Sequence, residues 1–135
     1  DQVFVMDGFD EIIRAQFILG NTNSFPFDKL DKFIHFPDGN QPNLATMSIM
    51  GRTYYERDKY IYHPSYKNVY CDNEAQDVAI QRGCYKFVDA TIFHHLHPAW
   101  GKADNDRMYI ENENPLGYEK DRINYETRKA NNFKD

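Results

Sequence analysis

The segment from Val69 to Trp100, VYCDNEAQDVAIQRGCYKFVDATIFHHLHPAW, restricts the fold of this chain more than any other. Asp72 is placed to cap a helix whose inward stripe is Ala75, Val78, Ala79 and the stem of Arg82, and Gly83 stops it. Strands are expected over Tyr85 to Val88 and Ala90 to Leu96, and a burst of three histidines closed by Pro98 follows. Carboxylates at one end of a helix–strand unit and imidazoles at the other are what a metal-assisted transfer site needs. The same residues also serve as a helix cap and a polar strand edge.

The rest of the chain must supply the layers around that unit. Phe9, Ile12, Ile13 and Phe17 form a helical stripe, entered at Asp7-Gly8 with Asp7 as cap and stopped at Gly20. A short strand is expected near Lys32 to Phe36, ended by the turn chemistry of Pro37-Asp38-Gly39. A buried strand is expected over Leu44 to Met50 with Gly51 as its exit, then a helix over Thr53 to Lys59. Tyr60 to Tyr70 has no clean period and reads as a surface loop. Two polar helices, roughly 106–113 and 118–131, are separated at Pro115, and only Leu116, Ile123 and some tyrosines are available to dock them.

With 135 residues one domain is expected, and the 16% aromatic content argues against disorder because that much ring surface must be buried or used in binding. The net charge of −5, with no Lys/Arg run beyond a dipeptide, leaves no footprint for nucleic acid. Cys71 and Cys84 lack CxxC spacing and read as reduced thiols. No window is apolar enough for a membrane span, and DQVFVMDGF lacks the layout of a signal peptide, so a soluble, cytoplasmic chain is expected. The chain starts without Met and enters an apolar segment at once, from which an N-terminal portion ahead of Asp1 is expected.

Among candidate site residues, His95 and His97 share one face of a strand and His94 takes the other. Two imidazoles so spaced can meet one cation, or simply end a strand. Trp100 either covers that site or fills a core gap. Asp72 stays ionised at a helix start because N–H groups and the helix dipole favour its charge, and capping does not exclude catalysis. Glu74 is either a base aimed into a cleft or a solvated first-turn side chain. Asp38-Gly39 is turn-like, and Asp1 alone carries no signal.

Taken together, Asp72-Asn73-Glu74 through Arg82-Gly83 and Ala90 to His97 resemble the acidic helix and the His-bearing strand of GT-A-fold nucleotide-sugar glycosyltransferases. GFDEIIR (Gly8 to Arg14), DGNQ (Asp38 to Gln41), MGRTYYER (Met50 to Arg57), YIYHPSY (Tyr60 to Tyr66) and HLHPAWGK (His95 to Lys102) are similar to a bacterial, family-2-like branch over nearly the whole chain. The resemblance implies an α/β, partial GT-A-like three-layer fold, a mixed sheet flanked by helices, lacking the N-terminal nucleotide-binding half. Residues 1–102 would be the C-terminal, acceptor and catalytic half, and 103–135 a polar helical tail packed on it.

It further implies Mn²⁺ or Mg²⁺ held by Asp1, His95 and His97, with Asp72 or Glu74 as base. Counting back from Gly83 favours Asp72. Asp38, Gly39, Tyr54, Tyr55, Tyr62 and Trp100 would line the acceptor side, since aromatic rings stack on the apolar faces of sugars. The partners implied are a nucleotide-sugar donor and a glycan acceptor such as a surface or exopolysaccharide precursor, in the cytoplasm or peripheral at the inner membrane, with inversion at the sugar and with the isolated piece inactive. Two other classes fit the same residues: a small metallohydrolase using His94, His95 and His97 with a carboxylate, and a non-catalytic carbohydrate- or protein-binding module built on tyrosines.

Overall fold

The computed structural model describes residues 2–18, 29–96 and 115–135. In chain order the elements are β1 (Gln2–Phe4), α1 (Phe9–Ile18), β2 (Phe33–His35), β3 (Ile49–Met50), α2 (Arg52–Asp58), α3 (Cys71–Arg82), β4 (Tyr85–Phe87), β5 (Phe93–His95) and α4 (Pro115–Ala130). The architecture is mixed α/β with two small sheets. In one, β2 lies between antiparallel β3 and parallel β4; in the other, β1 and β5 pair antiparallel.

β2 is the centre because its residues are buried on both faces. Alternation along a strand sends Phe33 one way and Ile34 the other. Phe33 packs with Ala45, Tyr54, Ala79 and Cys84, the side covered by α2 and α3. Ile34 packs with Phe36, Ile92 and Phe93, and the α1 stripe of Phe9, Ile12, Ile13 and Phe17 lies against that cluster, as its spacing predicts. Burying each such side chain is worth about 1.5–3 kcal/mol, so these two clusters hold the layers together.

Several boundaries differ from expectation for identifiable reasons. Gly8, at φ +74, turns the chain into α1, and its carbonyl, not that of Asp7, accepts the first helical bonds, from Glu11 and Ile12. Only Ile49–Met50 of the expected Leu44 to Met50 strand pairs with β2. Ahead of it the backbone is satisfied by a side chain instead: Gln76 Oε1 accepts from the Ala45 amide at 2.6 Å and its Nε2 donates to the Asn43 carbonyl at 2.9 Å.

The tail is anchored by polar and aromatic groups. Leu116 and Ile123 are 78% and 51% exposed and do not dock it. Tyr118, Asp121, Tyr125 and Arg128 lie at i, i+3, i+7 and i+10, one face of α4, and these make the contacts. Asp121 accepts from the backbone amides of Lys67, Asn68 and Val69 at 3.0, 2.8 and 2.9 Å. The helix expected over 106–113 lies outside the described residues.

Candidate functional site

The histidine strand end and the DGNQ loop meet. The His95 amide donates to the Asp38 carbonyl at 3.0 Å, and Asn40 Nδ2 donates to the His95 carbonyl at 3.0 Å. Asp38 itself is fully buried. Its Oδ1 accepts from the Asn40 and Gln41 amides at 2.9 and 2.8 Å, its Oδ2 from the Thr46 hydroxyl at 3.2 Å. The same Oδ2 lies 3.6 Å from His95 Nδ1. Asp38 therefore does not line an acceptor surface; burial commits it to shaping the loop and facing the imidazole.

Gly39 takes φ +86, and a Cβ there would stand 2.6 Å from His94 Cδ2, so the loop needs glycine for both backbone angle and space. His94 and His95 point to opposite faces, as strand alternation requires. β1 sets Gln2 opposite His95. Asp1, His97 and Trp100 lie outside the described residues. Among the described residues no group of three or more His, Cys, Asp or Glu side chains is placed to hold a metal ion.

The two carboxylates at the start of α3 separate. Tyr70, in the left-handed region at φ 65, is the residue that caps the helix, so Asp72 sits in the first turn and not at the cap expected for it. Asp72 Oδ1 accepts from the Asn73 amide at 2.9 Å, and the residue lines an open cleft with Gln41, Asn68, Tyr70 and Tyr118. Glu74 is neither solvated nor aimed into that cleft. It is 3% exposed, Arg128 Nε donates to its Oε1 at 2.6 Å, and it faces a separate cavity with Tyr54, His63 and Arg82. One helix turn thus carries one carboxylate toward the open cleft and one into the tail.

The tyrosines expected on the acceptor side have different settings. Tyr54 is 5% exposed, edge-on to Phe33 with ring centroids 6.0 Å apart, and the Arg57 and Arg82 guanidinium groups lie 5.5 and 5.3 Å from its ring. It is a core residue, because the α2 stripe turns it inward. Tyr55 is at the surface, with its hydroxyl donating to the Lys59 carbonyl at 3.3 Å. Tyr62 is half-buried, and burial, followed by charge at Asp72, pushes its hydroxyl pKa up.

The residues that do border Asp72 are Tyr70 and Tyr118. Their hydroxyls are 2.8 Å apart and their rings 5.3 Å, and the shared hydrogen bond, with burial, pushes Tyr70 up to about 12. Tyr125 stacks on Tyr70 at 5.4 Å. Tyr118 was missed in sequence because it lies far along the chain from Asp72; the one-face spacing of Tyr118, Asp121, Tyr125 and Arg128 was the available signal.

Comparison with protein-family models, with curated proteins and with solved structures finds no match to this chain. No helix among the described residues is long and apolar enough to cross a membrane.

Proposed function

We propose that this chain is the acceptor-side half of a nucleotide-sugar-dependent glycosyltransferase with a GT-A-like fold, the nucleotide-binding half lying ahead of Asp1. The carrying observation is the DGNQ loop. At Asp38 it faces His95, and at Gln41 it borders the cleft that holds Asp72, so one short loop links the imidazole-bearing strand end to the acidic helix entrance. The sequence resemblance supplies the reaction class.

In this reading Asp72 is the base. An ionised carboxylate in the first helical turn is favoured by the dipole, and its open cleft admits an acceptor hydroxyl, from which it would take the proton during attack on the sugar. The ion pair of Glu74 with Arg128 favours Asp72 over Glu74 for that role. The DGNQ loop positions His95 through its backbone, with the Asp38 carbonyl accepting from the His95 amide and Asn40 donating to the His95 carbonyl, while the Asp38 carboxylate lies 3.6 Å from the imidazole. That arrangement fits a ligand role for His95, with Asp1 and His97 as the further ligands. When bound, Mn²⁺ or Mg²⁺ would stabilise the charge that builds on the leaving diphosphate.

The test uses the protein that carries this chain together with its upstream residues, nucleotide-sugars of uridine, guanosine and thymidine, Mn²⁺, and release of nucleoside diphosphate as readout. Asp72→Asn is expected to lower kcat by about 10²–10⁴-fold, the range for a positioned base. Glu74→Gln should keep kcat within a few-fold. Turnover of none of the donors, or full turnover by Asp72→Asn, would defeat the proposal.

A further inference from the structure

We infer that the tail helix α4 completes a carbohydrate subsite, with the Tyr118 ring as the platform for one face of a neutral pyranose, Tyr70 set at 67° to it as the side wall, and the Asn68, Asn73 and Gln41 amides as partners for its hydroxyls. This rests on, and deepens, the sugar-transfer reading: the subsite would hold the acceptor beside Asp72. Three observations carry it.

The first is that the Tyr70 wall is built against resistance. A bulky residue at φ 65 is an outlier for an L side chain, and such strain persists only where the surroundings over-determine it. They do here. The three amides just before Tyr70 are all held by the buried Asp121 carboxylate, and its ring is bracketed by Tyr118 and Tyr125 of the same helix.

The second is the chemistry of the lining. Asn and Gln side chains each present a donor and an acceptor side by side, the complement of neighbouring sugar hydroxyls, and Tyr118 is 40% exposed at the rim. The third is charge. The described lining holds the Asp72 carboxylate and no Lys or Arg, so a phosphate-bearing ligand is disfavoured and a neutral polyol is not.

Saturation-transfer NMR on the chain tests it, with the methyl glycosides of glucose, galactose, mannose and N-acetylglucosamine as probes at millimolar concentration, without metal or nucleotide. Transfer to ring protons is expected for at least one of them, together with shifts of the Asn68 and Asn73 side-chain amides. Tyr118→Ala should weaken binding at least tenfold and Tyr118→Phe no more than about threefold, because it keeps the ring. No transfer from any glycoside, wild-type binding by Tyr118→Ala, or shifts of these amides by inorganic phosphate or a peptide library in place of sugars would each overturn the inference. Tyr118-dependent sugar binding without donor turnover would sink the transferase reading and leave the subsite standing. Donor turnover with an acceptor KM unaltered by Tyr118→Ala would do the reverse.

Discussion

Replacing Asp121 by Asn examines how the tail is held. Asp121 is 3% exposed and its carboxylate accepts from three backbone amides, at 3.0, 2.8 and 2.9 Å. A hydrogen bond to a charged group is worth about 1.5–3 kcal/mol net. Asn keeps one carbonyl oxygen but turns an NH₂ toward an N–H, so one contact is lost and the others weaken to neutral strength. A cost of about 2–3 kcal/mol follows, which for a domain of this size lowers Tm by about 10 °C.

The pH dependence has a definite sign. Burial alone would raise the Asp121 pKa, but the amides of Lys67, Val69 and Asn68 outweigh it and hold the carboxyl below its ordinary value. A depressed native pKa contributes stability that is present above the unfolded value, about 3.9, and is lost as pH falls through the native one. Wild type should therefore lose part of its advantage over Asp121→Asn only below about pH 4. Urea unfolding with amide exchange reads both effects: the Lys67, Asn68 and Val69 amides should be protected in wild type and fast in the variant. If those three amides exchange equally fast in both, or the stability difference stays under about 0.5 kcal/mol, the clamp is not what holds the tail.

Arg128→Ala should cost about 3–5 kcal/mol in chemical denaturation, because it strands the buried Glu74 carboxylate, and Glu74→Gln combined with Arg128→Met should restore most of the loss. Gly51→Ala should destabilise by about 3 kcal/mol or more, since a Cβ would lie 1.9 Å from the Leu30 carbonyl oxygen, which cannot retreat as a side chain could; unchanged thermal unfolding would refute that contact. The Cys71 thiol is pushed up to about 11 by burial, so iodoacetamide at pH 8 should label it far more slowly in the native protein than in urea, as mass spectrometry would show.

Much of the local structure could be read directly. The apolar spacing from Phe9 to Phe17 produced α1, Gly83 ended α3 at φ 74, the strand around Phe33 appeared within a residue of its expected place, and the one expected over Ala90 to Leu96 appeared only as Phe93–His95. These succeed because period and backbone freedom are properties of a few adjacent residues. The Leu44 to Met50 strand failed because β-branched, apolar character does not reveal that a helix side chain, Gln76, will take the backbone groups a ladder would have used.

What the sequence determined by itself was the set of reactive groups and their order: an acidic helix start, a glycine stop, a histidine strand, a DGNQ turn. It could not show that Asp72 faces an open cleft while Glu74 is buried, nor tell a surface Tyr54 from a core one. Only tertiary structure decided those, by bringing Arg128 to Glu74, Asp38 to His95 and Tyr118 to Tyr70 across long stretches of chain. The physical reason is that a carboxylate's or ring's role depends on what desolvates and pairs with it, and those neighbours are set by packing between elements rather than by position along the chain.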